Sequence, residues 1–232
     1  MSSDNTDRLI DQSSALDFKS LLLILVASGI GIILAMIVFP LWGPHLAASM
    51  DGQQPKVFWY LSRATAFVTM SLLWISMALG LAITNKMARI WPGGPTAFAL
   101  HEYASILGLV FVLFHALLLL GDHYLRLSLS QILIPFNSQP YKPVWVGFGQ
   151  LGFYLWAIIT GSFYIRKKFG KDVWRALHYL TFLAYLAGLV HGLTAGTDAS
   201  ATWAARFYWF TGGRLLFLLV YRIITSLHHS SS

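Results

Sequence analysis

The segment AFALHEYASILGLVFVLFHALLLL, residues 97–120, decides how this chain folds. About 20 apolar residues are enough to cross a bilayer as a helix, and this run meets that length while carrying His101, Glu102 and His115. Five further stretches of the same kind accompany it. Leu21–Trp42 and Val144–Ile165 carry no charge, Val57–Thr84 carries only Arg63, Val173–Ala195 holds Arg175, His178 and His191, and the last, Phe207–Ile224, holds Arg214 and Arg222. Lipid offers no partner to an open backbone, so runs this long read as helices. The expected fold is an all-α membrane protein, a six-transmembrane-helix bundle.

Composition agrees with that reading. Hydrophobic residues make up 56% of the 232, charged residues 11%, and the mean hydropathy is +0.63, values that a soluble domain of this size does not need. The chain has no cysteine. Disulfides, thiolate ligands, iron–sulfur clusters and thiol catalysis are thereby excluded, and any metal or cofactor must be held by histidine, carboxylate or backbone. The formal charge of +7 comes from cations that flank apolar spans and form no basic stripe interleaved with aromatics. Nucleic acid is excluded as a partner on that ground, and membrane lipid is the expected one.

Residues 1–18, with Asp4, Asp7, Asp11 and Asp17 among Ser and Asn, read as a disordered cytoplasmic tail, residues 19–226 as the transmembrane domain, and 227–232 as a C-terminal tail. The first span is too long for a signal-peptide core and follows an acidic stretch, so it is expected to remain in the mature protein. Between spans three and four, Leu125, Leu127 and Leu129 alternate with Arg126, Ser128 and Ser130 ahead of the apolar run Ile132–Phe136. This connection reads as an interfacial segment; its period of two fits an extended backbone better than an amphipathic helix, and its backbone state stays open at this level.

Six spans put both termini on one side. Arg8, Lys19, Lys86, Arg89, Arg166, Lys167, Lys168, Lys171, Arg175 and Arg222 fall on that side, against Lys56, Arg63, Arg126, Lys142 and Arg206 on the other. The excess predicts that both termini are cytoplasmic, N-in and C-in. The expected location is a bacterial inner (plasma) membrane, as an integral multi-pass protein.

Spans three and five then run the same way, with His101 and His178 near the inner side and His115 and His191 near the outer. At 1.5 Å per residue the members of each span are separated by roughly 20 Å along their helix. Two histidine pairs therefore form at two depths, each offering an imidazole from either side of an interhelical gap, as the two axial ligands of a haem require. Helical phase complicates the picture. Fourteen residues leave His101 and His115 about 40° apart around their helix, whereas thirteen leave His178 and His191 about 140° apart. Tilt, a local bulge, flexing near Gly188 and Gly192, or approach of two cofactors from different sides would each reconcile the angles.

Arg63 and Arg214 sit inside apolar runs, where a cation needs an anionic partner such as a haem propionate. Arg175 reads equally as an interfacial anchor, and Glu102 as a complement to a helix dipole. Trp59, Tyr60, Trp145, Tyr154, Phe182 and Tyr185 read as interface and packing aromatics, and Gly149, Gly152 and Gly161 as sites of close helix contact. His45, His123, His228 and His229 read as solvated side chains.

His101, His115, the stretch Trp174-Arg175-Ala176-Leu177-His178 and His191 resemble the membrane domain shared by ferric reductases, NADPH oxidases and the haem-binding subunit of the bacterial methionine-sulfoxide reductase system. The likeness extends over Val57–Ile224. It implies two b-type haems, one on His101 with His178 and one on His115 with His191, passing electrons across the bilayer. Two imidazoles per iron leave no open coordination position, which favours electron transfer over substrate binding. This chain departs from the oxidase pattern after Ile224, where eight residues remain and no flavin or nicotinamide domain is expected. Nor does a Gly-rich dinucleotide fingerprint follow a strand. Electrons are expected from a separate cytoplasmic donor, such as a flavin reductase or its flavin, and the outer acceptor is not specified. Two alternatives remain at this level: a haem subunit feeding an extracytoplasmic reductase, or a transporter using the histidines for a transition metal or protons.

Overall fold

Ten α-helices, numbered α1 to α10 along the chain, occupy the residues that a computed structural model describes: 16–52, 56–139 and 141–230, with the backbone alone at residues 42, 46 and 228–230. No strand occurs among the described residues. Six spans are long and apolar enough to cross a membrane: Phe18–Leu41, Val57–Thr84, Gly94–Gly121, Pro143–Tyr164, Lys171–Ala195 and Thr202–Leu227.

Residues 1–15 of the expected tail lie outside the described part. Asp17 already belongs to the first helix, α1 (Phe18–Trp42), as its N-cap, with its side chain accepting the Ser20 N–H at 3.0 Å. That hydrogen bonding holds the Asp17 carboxyl below its usual range, so the charged cap is fully in place above that range and is lost as pH falls through the lowered value. A short α2 (Pro44–Met50) leads to α3 (Val57–Thr84). The next helix, α4 (Gly94–Leu118), opens with a proline in its first turn, where the missing N–H costs nothing. Between spans three and four the chain is irregular up to Ser128, whose side chain forms a capping box with Gln131 and starts the one-turn α5 (Leu129–Leu133). The alternating leucines thus lead into a helix and do not form a strand. The fourth span is α6 (Pro143–Tyr164), followed by α7 (Arg166–Phe169). The last span, α10 (Thr202–Ser230), runs past the boundary expected at residue 226.

Two antiparallel pairs make the bundle. The helices α3 and α4 pack along their length, as do α6 and the fifth span, while α1 lies on α4 and α10 on α3. Their shared core brings Met70, Leu73 and Met77 of α3 against Leu109 of α4, Trp156 of α6, Ala184 and Tyr185 of the fifth span and Leu215 of α10.

The fifth span is not one helix. It divides into α8 (Lys171–Tyr179) and α9 (Thr181–Ala195), joined at Leu180, whose ψ of −8° and N–H bond to the Leu177 carbonyl are those of a tighter turn. Tighter winding at this turn rotates α9 relative to α8 in the sense that reduces the angle of about 140° between His178 and His191. The break lies between the two histidines, at a position that neither Gly188 nor Gly192 occupies.

Candidate functional site

The bundle has a terminal end, where α1 starts and α10 finishes, and a far end, where α4 and α9 finish. The structure brings His101 of α4 and His178 of α8 together at the terminal end, with ring centroids 6.0 Å apart and planes at 67°. His115 of α4 and His191 of α9 meet at the far end, 6.2 Å apart at 73°. No group of three or more His, Asp or Glu side chains gathers as a metal cluster among the described residues.

Three of the four imidazoles are held in the same way. Nδ1 of His101 lies 2.7 Å from the Ser76 carbonyl, Nδ1 of His115 2.8 Å from that of Ser62, and Nδ1 of His191 2.9 Å from that of Trp145. A ring nitrogen facing a carbonyl must carry the proton, so Nδ1 donates and Nε2 keeps its lone pair. Among the described residues no hydrogen bond reaches Nε2 of any of the four. Such second-shell anchoring fixes both tautomer and ring orientation. Hydroxyls reinforce it: Ser62 Oγ lies 3.1 Å from His115 Nδ1 and donates to the His115 carbonyl at 2.9 Å. Ser76 Oγ lies 3.2 Å from His101 Nδ1 and 2.7 Å from Ser105 Oγ. His178 differs, since its Nδ1 is buried without a partner while its ring lies 5.0 Å from that of Trp174, the planes at 31°.

The accepting carbonyls explain Gly149, which the sequence alone assigns to packing, and Gly80, which it passes over. A helical carbonyl at position i also receives the N–H of residue i+4, whose side chain stands beside it. Where an imidazole must reach that carbonyl, residue i+4 has to be small. Gly80 follows Ser76 and Gly149 follows Trp145 at this spacing. A Cβ on Gly80 would lie 3.3 Å from the His101 ring, and on Gly149 2.7 Å from Cγ and Nδ1 of His191. Gly149 is therefore part of the His191 site, whereas Gly152 packs closely against Ala184 and Ala187, as close helix contact predicts, and Gly161 leaves room for a Cβ at 3.6 Å from Phe18.

Two cavities surround the pairs. The terminal one, about 1160 Å³, is lined by His101 and His178 together with Phe182, Glu102, Arg175 and Arg222. Glu102 accepts a 2.9 Å hydrogen bond from Tyr164 there. The far one is tighter, about 240 Å³, and is lined by His115, His191, Trp59, Tyr154 and Arg63. Leu73, Trp156 and Ala184 border both.

The two intramembrane arginines part company. Arg63 lines the far cavity, and its Nε donates to Asp198 at 2.7 Å with Nη2 on the other carboxylate oxygen. Asp198, in the loop between α9 and α10, is the site residue that sequence reading missed. Arg214 lines neither cavity; it is exposed and lies over the Phe210 ring at 4.3 Å. Tyr60 is exposed as well, and Trp145 contributes its carbonyl to the site.

A family model described as ferric reductase like transmembrane component matches residues 64–189. That is more than half of the 232 residues; it includes His101, His115 and His178 and ends two residues before His191. No curated protein and no solved structure matches the chain. The chain is an integral, multi-pass membrane protein that belongs to the ferric reductase-like transmembrane family, and membership suggests electron transfer across the membrane as its general role.

Proposed function

We propose that the chain conducts electrons across the membrane between two b-type haems, one held by His101 and His178 and the other by His115 and His191. The observation that carries this reading is the presence of two facing imidazole pairs at opposite ends of the bundle, 6.0 and 6.2 Å between centroids. Two metal–imidazole bonds of about 2.0–2.1 Å, with the ring radii added, would separate the two ring centroids by roughly 6–6.5 Å. The family generally binds haem, and the terminal cavity exceeds the ~300–1,000 Å³ usual for cofactor sites. At the far end the imidazole pair supports the reading, while the cavity must widen to admit a macrocycle.

When bound, the haems supply a reversible one-electron iron couple at each end. The chain's own residues do the rest. The carbonyls of Ser76, Ser62 and Trp145 hold the Nδ1 protons and leave Nε2 as the ligand atom. Two imidazoles at each site would hold the haem from the protein side and leave it suited to electron transfer without a place for substrate. The apolar partition of Leu73, Trp156 and Ala184 keeps water out between the sites. Arg63, clamped by Asp198, is the cation placed to meet a propionate at the far end, and Arg175 and Arg222 are those at the terminal end. Arg214 does not face either site.

The terminal end carries most of the lysines and arginines and is assigned to the cytoplasm. Cysteine at exposed Gln139 should label with an impermeant reagent in intact cells, and cysteine at exposed Lys168 only after lysis; the opposite pattern reverses the orientation. The donor is a separate flavin reductase, docking where Lys167 and Lys168 project from α7. Reversing both charges should slow haem reduction by roughly tenfold at low ionic strength and flatten its salt dependence. An unchanged rate would remove the docking site and leave the haems in place.

The experiment that tests the function as a whole is the visible spectrum of the purified protein. A Soret band that shifts on reduction is expected, and its absence overturns the reading.

A further inference from the structure

The connection between α4 and α6 does not simply cross the end of the bundle. Gln150 Nε2 donates to the carbonyls of Gln131 at 2.8 Å and Ile132 at 2.7 Å, its Oε1 accepts the Phe136 N–H at 3.2 Å, and Tyr154 donates to the Leu133 carbonyl at 2.5 Å. These two side chains leave α6 roughly 10 and 16 Å below its first residue, and helical side chains tilt back toward the N-terminus. Residues 131–136 therefore hang one to two helical turns inside the span. The open carbonyls of a one-turn helix and the irregular main chain after it survive at such depth only when they are satisfied by protein; Gln150 and Tyr154 satisfy three such carbonyls and the Phe136 N–H.

The backbone records what this path costs. Arg126, Phe136 and Lys142 adopt positive φ of 48°, 66° and 39° without being glycine, a conformation that a side chain makes unfavourable. Phe136 is kept there by its ring, which fills the space above Gly147, where a Cβ would fall 2.1 Å from it. Strain of this kind persists where surrounding contacts over-determine the path.

The segment has two apolar faces. Gln131, Ile132 and Leu133 line the far cavity. Ile134 and Phe136 are exposed on the outside, where the Phe136 ring lies 6.4 Å from Phe148 on the exposed face of α6. An apolar outer face that continues the surface of a membrane span is suited to acyl chains and unsuited to water.

We propose that Leu129–Phe136 is a re-entrant segment whose outer face contacts lipid acyl chains and whose inner face is the membrane-side wall of the His115–His191 site, with Gln150 and Tyr154 as the positioning residues that hold it. The wall role rests on the haem reading of that site; the lipid contact does not.

The test uses the full chain in lipid nanodiscs, with a nitroxide on Ile134→Cys or, as control, on Gln139→Cys. The Ile134 label should collide several-fold more with oxygen than with a water-soluble nickel chelate, and the Gln139 label the reverse. Gln150→Leu, and the gentler Tyr154→Phe that removes one oxygen, should move the Ile134 label toward water. Both should shift the midpoint potential of the far-end haem and leave that of the terminal-end haem in place. Nickel access at Ile134 equal to that at Gln139 overturns the proposal. So does an Ile134 label in lipid whose far-end haem keeps its potential in both variants. A protein that binds no haem would overturn the functional reading instead, because the label still reports depth.

Discussion

Replacing His115 or His191 with leucine should abolish one of two haem signals and spare the other, and replacing His101 or His178 should do the converse. The size of this effect follows from coordination number. A haem iron left with one of two proposed imidazoles would lose half of its protein ligation, and the unpaired histidine would be left in a buried, apolar site. Haem extraction against protein quantification should give a ratio near two for the unaltered chain and near one for each variant. Loss of both haems from every folded variant would show that the pairs are not separate sites. A ratio of one in the unaltered chain, with His115→Leu and His191→Leu silent, would remove the far site and agree with its smaller cavity.

Alanine at Gly149 should be nearly as damaging to the far site, although Gly149 is no ligand. The added Cβ falls 2.7 Å from Cγ and Nδ1 of His191, so the imidazole must leave the Trp145 carbonyl that aims it. Overpacking of this kind costs about 1–3 kcal/mol, which lowers haem affinity at that end roughly ten- to a hundredfold. Gly161→Ala is the control, because its nearest neighbour, Phe18 Cε2, stays at an ordinary 3.6 Å. Titration of haem into the stripped protein, followed at both sites, would measure the change. Equal affinity in Gly149→Ala and the parent would show that the imidazole is not seated against this glycine.

Span count was legible because bilayer thickness imposes one length on every crossing, and the histidine pairing because spacings of fourteen and thirteen residues match in depth. The anchoring of the imidazoles was half-visible. Ser62 and Ser76 are separated by the same fourteen residues as His101 and His115, in antiparallel register, but that coincidence carries meaning only once α3 is known to lie beside α4. The break at Leu180 had no herald, since Tyr179, Leu180 and Thr181 include neither glycine nor proline. Asp198 was hidden for a similar reason, as a lone carboxylate in a loop looks solvated until Arg63 is found across from it. Arg214 shows the opposite failure. Its place in an apolar run signals a cost, yet the direction it faces is a matter of helix rotation that sequence does not carry.

The divided fifth span bears on how such a protein can be tuned. An unbroken rod bearing both histidines would be a single adjustable part, and any rotation that improved one imidazole would spoil its companion by the same angle. With a joint at Leu180, α8 and α9 are two levers. A substitution that rolls or tilts Lys171–Tyr179 re-aims His178 and leaves His191 seated, and a change within Thr181–Ala195 does the reverse. Under the proposed haem reading, the two histidine pairs can drift apart in geometry, and hence in redox character, one mutation at a time.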